Sequence, residues 1–258
     1  SGKSNTTVGI IKTILDEYTG ARIILVDPHG EYASAFPDSK VFKINDNTNP
    51  LYVPFWLMNY EELSYFLVGA TAKDDSRPEY RMLREKILNM KRENSDKLRA
   101  GVINPNFITA DSPIPFNVRK LWYDMNWWLN ATFSKSSKDD QNKETVLEED
   151  VGDYQKLIPP KFTPYSISSQ QPYKSKHIEY YSYEKKLLSR IKDSRYDFMF
   201  NPGPYLDEQA GKDLNNLLED WISNECRLTI LDLSGVPFEI LDITVGIISR
   251  FIYDSMFW

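Results

Sequence analysis

An α/β architecture, with parallel strands and a large, mostly helical insertion, is what this sequence predicts. Three observations lead there. Short β-branched runs, "ARIILVD" and "RLTILD", lie near the two ends of the 258-residue chain, and each stops at an acid. Segments with apolar residues at helical spacing flank both runs. Between them lies a long stretch that reads almost entirely as helix and polar loop. Alternating strand and helix implies parallel strands joined by crossovers.

The elements follow in order. Ser4 to about Tyr18 carries Val8, Ile11, Ile14 and Leu15 at helical spacing and stops at Gly20. "ARIILVD" is then a buried parallel strand ending at Asp27, and "KVFKI" is a second short strand. "NYEELSYFLVG" and "RPEYRMLREKILNMKREN" read as helices, the latter with Pro78 in its first turn. "FNVRKLWYDMNWWLNATF" puts Val118, Leu121, Trp122, Met125 and Leu129 on one face, with Asn117 as the cap. Residues 134–176 are polar and proline-rich and are expected to be a long surface loop. Helix resumes at "IEYYSYEKKLLSRIKDSRYDFMF" and again over "DEQAGKDLNNLLEDWIS", where Ala210, Leu214, Leu217, Leu218 and Trp221 fall in register. "RLTILD" returns to strand at Asp232, and Pro237 opens a final helix. The expected division is therefore 1–48 as the first part of a core, 49–224 as the insertion and 225–258 as the return to the core.

Composition narrows the function classes. The net charge of −6 argues against a uniformly basic nucleic-acid coat, though it leaves room for a local basic stripe. A single cysteine, Cys226, excludes an internal disulfide framework and suits a reducing cytoplasm. The apolar run "FEILDITVGIISRFIYDSMFW" carries Glu239, Asp242, Arg250 and Asp254, which are costly in lipid, so a core helix is expected there and no membrane contact. His177 is far in sequence from any partner, and no metal-ligand spacing occurs.

The chemistry concentrates at the start. "SGKS" before an amphipathic helix has the form of the second half of a phosphate-binding loop. Gly2 lets the backbone approach phosphate oxygens, Lys3 sets an ammonium against the β and γ phosphates, and Ser4 offers a hydroxyl to Mg²⁺. Ser1 and Asn5 complete the expected nucleotide-binding set. The first half of the loop is not in this sequence, which reads as a slice of a longer protein. Neither Asp27 nor Asp232 is followed by Glu, so neither makes a clean metal-and-water acid pair. "DPHGEY" gathers Asp27, His29 and Glu31 in a loop at the C-terminal edge of the sheet, where open α/β folds bind ligands. The alternative for that loop is a polar turn without chemistry.

"SGKSNT" with its helix, "IILVDPHGEY" on the next strand, "LYVPFWLMNYEEL", "LLSRIKDSRYDFMFNPG" and "RLTILDLSGVP" occur in the same order as landmarks of the HerA branch of the HerA–FtsK ATPases, which the chain resembles from Ser1 to about Pro237. The stretch near 130–180 matches poorly. The resemblance implies a RecA-like core with ATP and Mg²⁺, in a homo-oligomeric, hexameric ring that pumps duplex DNA. It also implies a nuclease or a sirtuin-type NAD-degrading partner in defence against phage. By position, Gly2, Lys3 and Ser4 would hold ATP and Mg²⁺, while Asp27 and Glu31 would be active-site acids beside Lys3. The family's first loop glycines, N-terminal barrel, Glu-Glu-Ala-His strand and arginine finger are expected before Ser1 and after Trp258, so this slice alone is expected to be inactive. Two other readings remain open, a P-loop small-molecule kinase and a non-catalytic assembly scaffold.

The basic residues Arg77, Arg81, Arg84, Lys86, Lys91, Arg92, Lys97 and Arg99 are either a DNA-facing helix or, as preferred here, a solvated face interleaved with Glu79, Glu85 and Glu93. Trp122 is expected in the core, and Trp127 and Trp128 in an exposed patch for subunit contact.

Overall fold

The computed structural model describes residues 2–68, 78–98, 104–168, 171–206 and 212–255. Ser1, Arg77, Arg99 and Ala210 lie outside them, as do the side chains of Glu79 and Lys97. The chain forms two compact units, one made of Ser1–Met58 with Arg195–Trp258 and the other of Asn59–Ser194.

The first unit is the parallel α/β core. Helix α1 (Gly2–Glu17) leads into β1 (Ile23–Asp27) and β2 (Lys40–Lys43); α6 (Asp197–Phe200), α7 (Leu214–Ile222), β7 (Leu228–Asp232) and α8 (Phe238–Ser255) follow after the second unit. The sheet has the order β1-β7-β2 with every pair parallel, and Asp27 lies level with Asp232 at the C-terminal edge. β7 is central, and its five residues are all buried. That explains its unbroken apolar run, since a strand covered on both faces has no polar side to alternate with. Val8, Ile11 and Leu15 of α1 pack with Leu228 and Ile230 of β7 and with Phe36 from the β1–β2 connection. Burying a side chain of the size of Ile11 contributes about 2 kcal/mol. The α7 cap is local: Asp213 accepts from the backbone amides of Asn215 and Asn216. The helix therefore starts at Leu214, later than the apolar register alone implied.

The second unit holds α2 (Tyr60–Val68), α3 (Pro78–Leu98), α4 (Val118–Asn130) and α5 (Tyr181–Lys192), with four short strands: β3 (Thr132–Phe133), β4 (Glu148–Asp150), β5 (Lys161–Phe162) and β6 (Tyr173–Lys174). α5 packs against both α2 and α4. Asn117 caps α4 as expected, accepting from the Lys120 amide at 2.9 Å. The Tyr60 hydroxyl donates to the Tyr80 carbonyl at 2.5 Å, and burial pushes it up to about 12.

Several expectations need amending. The expected insertion, 49–224, is wider than the compact unit 59–194, whose flanks fall in the sheet-bearing unit. The Val53 amide donates to the Phe198 carbonyl at 3.1 Å, the Trp56 indole donates to the Tyr205 carbonyl at 3.0 Å, and Phe55 stacks on Phe200. The segment 134–176 is not one loop: β3 pairs with β6 and β4 with β5, both antiparallel. Turn-rich polar sequence hid them because two- and three-residue strands carry no readable alternation. Trp127 is buried, donating to Glu148 at 2.9 Å and meeting Phe133 and Phe162 edge-on, so it is no contact patch; Trp128 is half-buried against Phe133 and His177. Trp122 is in the core as expected. Lys91 cannot face a phosphate: it is buried, and its ammonium donates to the Ala110 and Ser112 carbonyls, each at 2.6 Å. Burial drives that ammonium down to about 7, against the attraction of Asp111. Lys86 pairs with Asp124 at 2.8 Å.

No helix among the described residues is long and apolar enough to cross a membrane.

Candidate nucleotide-binding site

The two sequence signals meet. α1 begins at Gly2, and its first turn carries Lys3 and Ser4. The Ser4 hydroxyl donates to Glu31 Oε2 at 2.6 Å, joining "GKS" to "DPHGEY" across 27 residues of chain. Lys3 and Asn5 are exposed beside it.

Glu31 is placed by Asp27. The Asp27 carboxylate is 1% exposed, and backbone amides of its own loop donate to both of its oxygens. Oδ1 accepts from Gly30 at 2.9 Å and from His29 at 3.3 Å, and Oδ2 accepts from Tyr32 at 3.0 Å. An acid on a strand end that holds its own loop in this way is an extended Asx turn. Asp27 thus acts on the site through the loop, and Glu31 is the exposed carboxylate of the pair. His29 is exposed and contributes its amide to the turn.

Gly30 has φ +71°, which L side chains rarely adopt, and a Cβ there would stand 3.1 Å from Ser234 and 3.2 Å from Asp232 Oδ1. Gly30→Ala is therefore expected to cost about 1–3 kcal/mol of stability, read as a lower midpoint in urea unfolding. An unchanged midpoint would show that the loop adapts without strain.

Two residues that sequence reasoning left out join the same edge. Lys43, the last residue of β2, sets its ammonium 3.3 Å from Asp232 Oδ2, and the Ser234 amide donates to Asp232 Oδ1 at 2.9 Å. Burial alone would raise the Asp232 carboxyl, but the Ser234 hydrogen bonds and the Lys43 ammonium outweigh it and hold it below the usual carboxylate value. Lys43 was discoverable: it ends a parallel strand, as Asp27 and Asp232 do, and the ends of parallel strands gather at one edge.

The residues present fit a magnesium nucleotide. A helix of 16 residues presents its first-turn amides and the positive end of its dipole. The Ser4 hydroxyl beside the Glu31 carboxylate is an all-oxygen donor set of the kind hard divalent cations take.

The fold and this edge together define a RecA-like P-loop core. The chain belongs to the HerA family: the family described as "Helicase HerA, central domain" matches residues 1–252. No curated protein matches the chain. Membership implies an ATPase motor of the HerA–FtsK type.

Proposed function

We propose that this chain is the motor domain of an ATP-dependent DNA translocase, working as a hexameric ring on duplex DNA in the cytoplasm. In this reading a nuclease or a sirtuin-type NAD-degrading enzyme is its partner in anti-phage defence. The observation that carries the motor reading is the 2.6 Å contact between Ser4 and Glu31, which unites the phosphate-loop helix with the acidic loop at the sheet edge. The family match supports the ring and the translocase activity, and the kind of partner is what the resemblance to the HerA branch implies.

Gly2 and the first-turn amides of α1 would receive phosphate oxygens, with Ser1 and Asn5 flanking them. Lys3 would neutralise charge that develops on the phosphates, and its exposure leaves it free to reach them. Ser4 would hold Mg²⁺, and Glu31 would orient the attacking water or hold the ion's hydration shell. Asp27 fixes where Glu31 stands. Bound ATP with Mg²⁺ supplies the phosphoryl group and its electrophilic polarisation.

ATP turnover by the protein that carries this domain, measured with and without duplex DNA, tests the proposal. Turnover is expected to rise several-fold on duplex DNA. Turnover that requires a small acceptor would make it a kinase, and no turnover in either condition would make it a scaffold.

A further inference from the structure

In the helical unit a cavity of about 530 Å³ opens among the end of α4, β3, β5 with its flanking prolines, and α5. Asn126 lines it and is 8% exposed. The orientation of its amide is fixed. Asn126 Nδ2 donates to Glu184 Oε1 at 3.0 Å, beside the Trp122 indole N–H at 2.8 Å. Turning the amide over would set its carbonyl against a carboxylate. Asn126 Oδ1 is therefore left buried with no hydrogen-bond partner, and so is Glu184 Oε2, on a residue 1% exposed. The Lys185 ammonium stands 3.5 Å from Glu184 Oε2; that side chain is 63% exposed and lines the same cavity.

Buried acceptors without donors are costly, and two together, one on a carboxylate, call for a donor-rich group. The walls narrow the choice. Phe162 and Tyr165 line it together with Pro159, Pro160 and Pro164. Among the described residues, Lys185 is the one charged side chain of the lining, and an anionic ligand paired with it would leave both acceptors without a donor. A guanidinium is planar, stacks on aromatic and proline faces, and carries five N–H donors, enough for both orphaned oxygens. The Lys185 ammonium, a point charge on an exposed stem, makes only a long contact with one of them.

We propose that this cavity binds a guanidinium group, presented by an arginine side chain of a partner polypeptide, which displaces Lys185 from Glu184. The site is independent of the nucleotide reading. Calorimetry on the protein carrying this domain tests it, using a capped Gly-Arg-Gly peptide, its citrulline counterpart and free arginine. The arginine peptide is expected to bind at least about tenfold more tightly than the citrulline peptide, whose side chain has the same shape without the charge. Lys185→Ala, a surface change that leaves the core intact, is expected to tighten binding about fivefold, the scale of one exposed ion pair. Glu184→Gln is expected to abolish it. Free arginine binding as tightly as the peptide supports the same site with a small molecule as its source. Equal binding of the arginine and citrulline peptides, or weaker binding after Lys185→Ala, would overturn the assignment.

Discussion

Lys3→Ala is expected to cut ATP hydrolysis by the protein carrying this domain about 10²–10³-fold, the usual cost of removing one preorganised charge or donor from a reacting anion. The ring is expected to persist, because Lys3 is exposed in the first turn of α1 and takes no part in packing that helix on the sheet. Steady-state phosphate release measures the first effect and size-exclusion chromatography the second. Turnover that survives the substitution would reduce Lys3 to an exposed side chain at a helix start. Loss of turnover together with loss of the ring would assign it to assembly.

Glu31→Gln is expected to lower turnover about 10²-fold while leaving the affinity for ATP within a few-fold, as removal of a group acting on the attacking water does. The substitution is a sharp one here. A glutamine oxygen can still accept from the Ser4 hydroxyl, which donates to Glu31 Oε2 at 2.6 Å, and the Asp27 turn that places residue 31 is untouched. What is lost is the charge and the basicity. Single-turnover hydrolysis with separately measured nucleotide binding separates the effects. Unchanged turnover would return Glu31 to a structural role as the partner of Ser4. An equal loss of affinity and turnover would make it a ligand of the ion and not an actor in the chemical step.

The two predictions rest on different links of the argument. The role of Lys3 is read from its place in "GKS" and from its exposure. The role of Glu31 depends on the loop, which exists in its shape because Asp27 collects its own backbone amides and because Gly30 takes a positive φ against Asp232 and Ser234. Gly30→Ala therefore probes the same loop through stability, and the two substitutions are expected to part ways, the first lowering stability and the second lowering turnover.

Much of the core was legible from the chain alone. Unbroken apolar runs marked β1 and β7; the reason holds for β7, which is buried on both faces and has nothing polar to show, whereas residues 23–26 of β1, expected to be buried, are only half-buried. The 3.6-residue spacing of Val8, Ile11 and Leu15 marked α1 because one stripe must face the sheet. Asn117 advertised the start of α4, and "GKS" with "DPHGEY" nominated candidate site residues, since phosphate and metal chemistry restrict which side chains will serve.

Tertiary structure alone decided the rest. That Ser4 and Glu31 touch, that Lys43 reaches Asp232, and that Lys91 and Glu184 sit buried are all matters of distance between residues far apart in the chain. The limits of the helical unit belong here too, because aromatic contacts such as Phe55 on Phe200 draw both flanks onto the sheet-bearing unit. Local pattern fixes which face of an element is apolar. It carries no record of which partner covers that face, because hydrophobic burial is non-directional and many partners satisfy it equally.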